Sequence, residues 1–310
     1  MTSESSSPVL VRDGVFVIDK PVGKTSQQVV SCVRHRLAEQ AGVAAKKIKA
    51  GHAGTLDPMA TGVLIVGVNK ATRLLGYIAG TNKQYLARIR LGQATTTDDA
   101  EGGPIGQPVD ATGLSDQVIR DAIAVFTGDI WQVPSSVSAI KVDGRRAYAM
   151  VRAGEAVELA SRQVRVDRFE VQTRKDAAPF VDIDVIVDCS TGTYIRALAR
   201  DLGQALGVGG HLTALRRTRV GRFDVNNAVG IDVVTWDNIE DIAAVARASF
   251  PGVDVDEVGV VDVSHGRSLA VTVLADPTAV FGPSGAFLAL YRPDGEVAAP
   301  VAVFASGEAS

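Results

Sequence analysis

Residues 51–64 read GHAGTLDPMATGVL, a turn-rich loop that continues into an apolar run. Glycine, proline and other small residues surround Asp57, the one acidic residue of the stretch. An aspartate before a proline is typical of turns, so the residue types alone favour a turn carboxylate. The glycines favour a second interpretation, because a backbone without side chains allows a ligand to approach closely. Residues 63–68 then predict a buried strand.

The composition predicts a globular chain that remains in a reducing compartment. Its 310 residues are 46% hydrophobic and 22% charged, and this length suits either one large domain or one large and one small domain. The first ten residues lack the features of a signal peptide, and the longest apolar run is too short to span a membrane. Cys32 and Cys189 form no CxxC motif, which favours buried structural thiols and a cytoplasmic location.

The net charge of −3 hides an uneven distribution along the chain. Residues 241–310 carry 3 basic and 9 acidic side chains, whereas residues 1–240 have a net charge of +3. Basic side chains also cluster at residues 46–49 and 216–222. These clusters predict either solvated charged surface or contacts with phosphates, and their position relative to other candidate residues must decide.

Hydrophobic periodicity predicts a mixture of helices and strands without a regular βαβ repeat. Residues 85–91 and 181–189 alternate apolar and charged positions, as half-buried strands do. Helical spacing of apolar residues follows Ser26 and again follows Tyr194. We therefore predict an α+β fold with a mixed, largely antiparallel sheet flanked by helices. Beyond residue 248, short valine-rich runs between turn pairs predict a small β-rich domain.

Motifs of several other enzyme classes are missing from the sequence. Residues 23–26, GKTS, resemble the end of a phosphate-binding loop, but the required glycine five positions earlier is Ile18. The four histidines lack the spacing of a zinc site. Neither a GxSxG elbow nor a GxGxxG turn occurs. Zinc, serine-hydrolase and dinucleotide chemistry therefore have little support.

Two further residues are candidates for function. Arg196 falls in the first turn of a predicted helix, off its apolar face, where the helix dipole disfavours a cation by roughly 0.3–1 kcal/mol. A paired carboxylate would offset this cost, whereas the alternative is an ordinary surface arginine. Tyr85 opens an alternating strand, and the pattern alone predicts a core residue.

Taken with residues 51–64, segments elsewhere in the chain resemble the signature of the TruB family of tRNA pseudouridine synthases. These segments occur in the family's order and are residues 14–23 (GVFVIDKPVG), 83–85 (KQY), 90–93 (RLGQ), 97–102 (TDDAEG), 128–134 (GDIWQVP), 138–141 (SAIK), 192–196 (GTYIR) and 215–217 (LRR). The resemblance covers about residues 14–222. Its motifs distinguish this family from other pseudouridine synthases, which share chiefly the aspartate.

The resemblance implies an isomerase that converts the uridine at position 55, in the T loop of tRNA, into pseudouridine. It implies that Asp57 is the catalytic residue and that Arg196 is its ion-pair partner. Tyr85 would lie against the target base, and His52 would help to fill the space that the flipped base leaves. The reaction needs neither a metal nor a cofactor. The residue types leave open whether Asp57 acts as a nucleophile or as a base at the ribose.

The resemblance also implies how the chain binds RNA. The expected partner is the T-arm stem-loop of tRNA, bound by a monomer. Lys20, Tyr194 and Leu215 match substrate-binding or supporting positions. The basic side chains that become predicted contacts with the RNA backbone are Lys141, Arg145, Arg146, Arg216, Arg217 and Arg219.

The domain organisation follows from the same resemblance. Residues 1–248 would form the catalytic domain, with an RNA-contacting insertion at residues 131–160. Residues 249–310 would form a PUA-like β domain, although its acidic charge argues against strong phosphate binding. A tRNA-binding folding chaperone with secondary isomerase activity is the alternative function. A glycosidase is disfavoured, because the sequence shows no pair of carboxylates to activate water.

Overall fold

The computed structural model describes residues 11–135, 141–142, 145–146 and 159–305. Its strands, in chain order, are β1 (Gly14–Lys20), β2 (Ala50–Ala53), β3 (Thr61–Val68), β4 (Lys83–Leu91), β5 (Ala94–Thr95), β6 (Pro104–Ile105), β7 (Gly128–Gln132), β8 (Lys141–Val142), β9 (Arg145–Arg146), β10 (Arg162–Ala177), β11 (Phe180–Cys189), β12 (Gly210–Val220), β13 (Phe223–Asp224), β14 (Val229–Gly230), β15 (Glu240–Asp241), β16 (Gly252–Asp254), β17 (Thr278–Phe281), β18 (Phe287–Asp294) and β19 (Val297–Val303).

Helices complete the secondary structure and confirm the predicted α+β class. The α-helices are α1 (Ser26–Gln40), α2 (Leu75–Ala79), α3 (Asp116–Val125), α4 (Ile195–Ala205), α5 (Ile242–Ser249) and α6 (Glu257–Ser264), and short 3-10 helices lie at Ala45–Lys47, Asn69–Arg73, Val225–Asn227 and Trp236–Asn238. Within the described residues, no helix combines the length and the apolar character needed to span a membrane.

The chain folds into two compact units. The first contains the described residues among 1–58, 62–79 and 221–310, and the second contains residues 59–61 and the described residues among 80–220. The predicted boundary at residue 248 does not coincide with this grouping and stays a prediction.

In the first unit, helix α1 packs on the strands that precede and follow it in sequence. Thr25 caps the helix: its side chain accepts from the Gln28 N–H, and the Gln28 side chain accepts from the Thr25 N–H. This reciprocal box fixes the start of the helix. The apolar face of α1, including Val29, Val33 and Leu37, is buried in a cluster with side chains from β1 and β3.

Strand β1 is central to the sheet of the first unit. It pairs antiparallel with β3, from Gly14 opposite Val68 to Lys20 opposite Gly62. It also pairs with β14, in parallel, and with β15. Strand β2 continues the sheet beyond β3. The sheet is therefore mixed and largely antiparallel, as predicted.

The C-terminal residues of this unit form a separate four-stranded sheet in the order β16-β17-β18-β19. The first pair is parallel and the other two are antiparallel. Val263 of α6 packs with Val280, Leu288 and Tyr291 in a core of their own. The β-rich character expected beyond residue 248 is present in these strands.

The second unit contains an antiparallel sheet in the order β12-β4-β11-β10-β7. The predicted alternation along β4 is confirmed, because Tyr85 and its apolar partners are buried while Arg88 and Arg90 face outward. Each arginine makes a bidentate pair with an aspartate of β11, Arg88 with Asp184 and Arg90 with Asp182, over 2.7–3.0 Å. These pairs lower the pKa of both carboxyl groups.

The two tryptophans of the chain allow the core of the first unit to be tested. Trp236 is 3% exposed, donates from its indole N–H to the Leu37 carbonyl at 3.0 Å, and lies edge-on to Phe16. Trp236→Phe should lower the free energy of unfolding by about 1–3 kcal/mol, because it removes that bond and leaves a void. Urea unfolding measures the change. Trp131→Phe is the control, since Trp131 is 72% exposed, and equal losses in both variants would contradict the prediction.

Candidate active site

Asp57 lies in the loop between β2 and β3 of the first unit, and it is half-exposed. The preceding residue, Leu56, is buried and held from both sides by one hydroxyl group. The Ser26 hydroxyl donates to the Leu56 carbonyl at 3.1 Å and accepts from the Leu56 N–H at 2.9 Å. The first residue of helix α1 therefore fixes the backbone immediately before Asp57.

Lys20 holds the other side of the same loop. Its side chain is fully buried, and its ammonium group donates to the carbonyls of Pro21 at 2.9 Å, Lys24 at 2.6 Å and Pro58 at 3.2 Å. An ammonium has three donors, and each of these carbonyls can take one. The Pro58 carbonyl also accepts from the Gly23 N–H at 2.8 Å. These contacts make Lys20 a support for the backbone immediately after Asp57.

The backbone conformation and the packing of the fold explain several of the glycines around Asp57. Gly54 and Gly62 have φ angles of +77° and +99°, which residues with a side chain rarely adopt. Gly51 and Gly67 face each other across β2 and β3, and Leu75 of α2 lies on both. A Cβ atom on Gly51 would come within 3.1 Å of the Leu75 side chain. Internal packing thus favours a glycine at position 51, where the sequence suggested clearance for a ligand.

Arg196 is buried in the second unit, with only 5% of its side chain exposed. Its Nη1 atom lies 3.3 Å from Oδ2 of Asp99 and donates to the Thr97 carbonyl at 3.0 Å. The alternative of an ordinary surface arginine is therefore wrong. A buried guanidinium needs such a carboxylate, because an unpaired buried charge costs several kcal/mol.

Asp99 is the partner of a candidate site residue, and the sequence analysis did not single it out. Its side chain is 4% exposed, and its Oδ1 atom accepts from the Thr97 hydroxyl and from the Glu101 N–H. Asp98 forms a second pair, with Arg200, at 3.1 Å. Two adjacent acids thus bind two arginines one helical turn apart. The spacing of Arg196 and Arg200, one turn apart on a helix, could have indicated that both need acidic partners. The sequence does not show which loop supplies those partners.

The other predicted substrate-binding residues divide between the two units. His52 lies on β2, opposite Val66 and half-exposed, in the same unit as Asp57. Tyr85 and Leu215 are nearly buried on β4 and β12 of the second unit, and Tyr194 is the N-cap of α4. The roles of these residues toward a base stay predictions.

The predicted contacts with the RNA backbone differ in exposure. Arg216 is half-exposed, and Arg219 is exposed and paired with Asp188 at 2.9 Å. Arg217 is only 1% exposed, so it is not available as the surface phosphate contact that the sequence suggested. On a strand, residues 215 and 217 share a face, and that face is buried here. The other three predicted contacts lie on β8 and β9, and their side chains lie outside the described residues: Lys141, Arg145 and Arg146.

Lys83 is a buried cation two residues before Tyr85. It donates to the Thr81 carbonyl at 2.6 Å. Burial, with a further contribution from the charge of Arg217, lowers the pKa of its amine to about 8. Cys189 lies directly opposite on β11, and burial raises the pKa of its thiol to about 11. Both shifts are toward the neutral form, although an amine with a pKa of about 8 is still mostly protonated at pH 7.

A cavity of about 910 Å³ lies between α3 and β10 in the second unit. Its apolar lining includes Ile119, Ile123, Phe169 and Ile183. None of the predicted site residues that the structure describes lines this cavity. Across the described ranges, no group of three or more His, Cys, Asp or Glu residues is placed to hold a metal ion.

Comparison with known proteins identifies the class. Residues 42–195 match the family model of the TruB family pseudouridylate synthase N-terminal domain. Residues 196–255 match the tRNA pseudouridylate synthase B C-terminal domain, and residues 250–305 match the C-terminal model of tRNA pseudouridine synthase II. The matched models define the chain as a pseudouridine synthase, and enzymes of this class are isomerases.

Curated relatives agree over nearly the whole chain. The tRNA pseudouridine synthase B of Rhodococcus jostii is 51% identical over 303 residues, which cover 97% of this chain and 96% of the relative. That of Paenarthrobacter aurescens is 48% identical, over 95% and 96% of the two chains. The chain belongs to the TruB family.

Two solved structures of complexes share the fold. An H/ACA ribonucleoprotein bound to a substrate RNA containing 2'-deoxyuridine matches with a TM-score of 0.67 and 25% identity, over 94% of this chain and 85% of that chain. A Cbf5-Nop10-Gar1 complex matches with a TM-score of 0.68 at the same identity and coverage.

Ser26 tests how the loop of Asp57 is held. Ser26→Ala should leave the N–H and carbonyl of Leu56 without this partner, which costs about 1–3 kcal/mol of unfolding free energy. The looser loop should also slow pseudouridine formation by roughly tenfold. Single-turnover kinetics and urea unfolding measure the two effects. Ser31→Ala, on the same helix, is the control, and a Ser26→Ala variant that behaves like it would rule out the anchoring role.

Lys83 predicts a pH-dependent difference in stability. An unfolded lysine titrates near ~10.4, so between about pH 8 and that value the unfolded chain binds more protons than the folded chain. The burial penalty is therefore present below about pH 8 and is lost as the pH rises toward ~10.4. Lys83→Met removes the penalty, so its stability relative to wild type should fall by up to about 3 kcal/mol between pH 7 and pH ~10.

Urea unfolding of both proteins at several pH values measures this difference. Cys189 makes the opposite contribution between about pH 9 and pH 11. It is present in both proteins, so most of this contribution cancels, and the remainder is the coupling between the thiol and the Lys83 amine. Lys175→Met, at an exposed position of β10, supplies the control. A stability difference between wild type and Lys83→Met that does not change with pH would show that Lys83 titrates normally.

Proposed function

We propose that the chain isomerises the uridine at position 55, in the T loop of tRNA, to pseudouridine, with Asp57 as the catalytic residue. The observation that carries the proposal is the similarity of nearly the whole chain to proteins named tRNA pseudouridine synthase B. The anchored loop supports the assignment of Asp57, because Ser26 and Lys20 fix the backbone on both sides of that carboxylate.

The proposed reaction breaks the N1–C1′ bond, turns the uracil and rejoins it to the ribose through C5. The C5 proton leaves and N1 gains a proton, so the reaction is balanced without water or a redox partner. Asp57 would act either as the nucleophile at C1′ or as a base at the ribose. Arg196 would pair with it and stabilise its ionised form. Tyr85 would stack on the uracil and keep the detached base in place.

RNA binding must supply the energy to extract the base. Flipping a nucleotide out of its stack costs a few kcal/mol, and less in a loop than in a duplex. Arg216 and Arg219 are candidates for the phosphate contacts that offset this cost, together with the three basic residues of β8 and β9. Arg219 would exchange Asp188 for a phosphate. The proposed partner is the T-arm stem-loop, bound by a monomer.

The remaining expectations fit the same proposal. His52 would fill the space of the flipped base, and Tyr194 and Leu215 would line the base pocket. Both cysteines are free thiols, as expected in a reducing, cytoplasmic setting. The four-stranded C-terminal sheet would serve as the PUA-like module, with its acidic charge limiting its grip on phosphates.

Asp57→Asn tests the catalytic assignment. The protein is incubated with an unmodified tRNA transcript, and pseudouridine is mapped along the RNA. Wild type should modify the T-loop uridine, and Asp57→Asn should lose at least about a thousandfold in rate while its tRNA affinity stays within about threefold, because the amide can neither attack nor accept a proton. Asp232→Asn, at an exposed position, should match wild type.

Each other outcome has a distinct meaning. Activity retained by Asp57→Asn would remove it as the catalytic residue. Modification at another uridine would contradict the proposed target. A wild-type protein that refolds misfolded tRNA without forming pseudouridine would favour the chaperone function.

A further inference from the structure

Gln132 is a buried polar residue that the proposed mechanism does not use. It ends strand β7 and is 1% exposed. Its Nε2 atom donates to the Tyr194 carbonyl at 3.1 Å, and its Oε1 atom accepts from the Tyr194 N–H at 2.8 Å. One side-chain amide thus satisfies both backbone groups of Tyr194, in the way that a neighbouring strand would.

Tyr194 is the N-cap of helix α4, and it is an unusual residue for that position. Most helices begin with Ser, Thr, Asp or Asn, whose side chains bind the free N–H groups of the first turn. Tyr194 makes no such side-chain bond. The place where α4 begins therefore depends on how the backbone of Tyr194 is held, and Arg196 follows two residues later.

The ring of Tyr194 is held separately from its backbone. The Arg162 guanidinium carbon lies 4.7 Å from the ring centre, within the range of a cation–π contact. Arg162 is the direct cross-strand partner of Gln132 in the pairing of β10 with β7. Adjacent residues of two paired strands thus hold the backbone and the ring of one tyrosine.

The next turn of α4 is held by the residue after Gln132 and by the loop at residues 97–99. Arg200 donates to the Val133 carbonyl at 2.8 Å and pairs with Asp98. The contacts of Arg196 are with Asp99 and the Thr97 carbonyl. The segments at residues 97–99 and 132–133 together set the position of the first turns of this helix.

We propose that Gln132 is a positioning residue for pseudouridine formation. It sets the start of α4 and thereby the orientation of Tyr194 and Arg196, without contacting the substrate itself. The inference rests on the proposed function, because it needs those two residues to act at the target base. Its expected effect is on the rate of the chemical step, with little effect on RNA affinity.

The test compares Gln132→Leu and Gln132→Glu with the same changes at Gln163, an exposed residue of β10. Single-turnover rates and affinities are measured with an unmodified tRNA transcript. Gln132→Leu should react about 10–100 times more slowly with affinity within about threefold, because a displacement of about 1 Å in a catalytic group costs about that much. Both Gln163 variants should match wild type.

Gln132→Glu gives a readout that general destabilisation would not produce. Ionised, its carboxylate accepts from the Tyr194 N–H but repels the Tyr194 carbonyl, whereas the protonated acid restores a donor. Burial raises the pKa of a carboxyl group, so the rate relative to wild type should recover as the pH falls from roughly 8.5 to roughly 5.5. Gln163→Glu should show a constant ratio.

The outcomes separate this inference from the proposed function. An inactive wild type would refute the proposed function. An active wild type with a Gln132→Leu rate equal to its own, or a Gln132→Glu ratio that stays flat with pH, would refute the positioning role. If Gln132→Leu fails to fold, the pH dependence of Gln132→Glu still decides.

Discussion

The buried cations of this chain impose the strongest constraint on its structure. A charge withdrawn from water costs several kcal/mol unless nearby groups replace its hydration. Lys20 meets this requirement with three backbone carbonyls, and Arg196 meets it with Asp99 and the Thr97 carbonyl. Each cation thereby holds together segments that are distant in sequence. The contacts that replace the hydration of the charge therefore also set the geometry of the candidate site.

Much of the fold could be predicted, because periodicity records burial directly. Helix α1 and the strands β4 and β11 lie where apolar spacing placed them, and Thr25 caps the N-terminus of α1. The environment of Arg196 could not be predicted in the same way. Its position off the apolar face of the helix favoured a solvent-exposed side chain. Its partner Asp99 instead comes from a loop almost one hundred residues earlier, and no local sequence pattern indicates such a contact.

The basic run at residues 216–222 shows that composition alone does not predict which arginines reach the surface. Four arginines within seven residues suggested one charged surface. The segment to Val220 is a strand, so its residues alternate between two faces except at a register shift between Arg217 and Arg219. Arg217 shares the buried face of Leu215, whereas Arg216 and Arg219 reach solvent to different extents. The two-residue period would have separated Arg217 from Arg216, but it would have placed Arg219 on the buried face as well. The register shift between Arg217 and Arg219, which composition and period do not show, accompanies the exposure of Arg219.

The packing of Leu75 on Gly51 and Gly67 affects how the segment around Asp57 is understood. A methyl group on either glycine meets Leu75 before any RNA is present. A library screened only for folded protein would already select against larger residues at position 51. Asp57 is partly exposed in the same loop, and the role proposed for it is in turnover. The same short segment thus contains one position constrained by packing and another constrained by the proposed reaction.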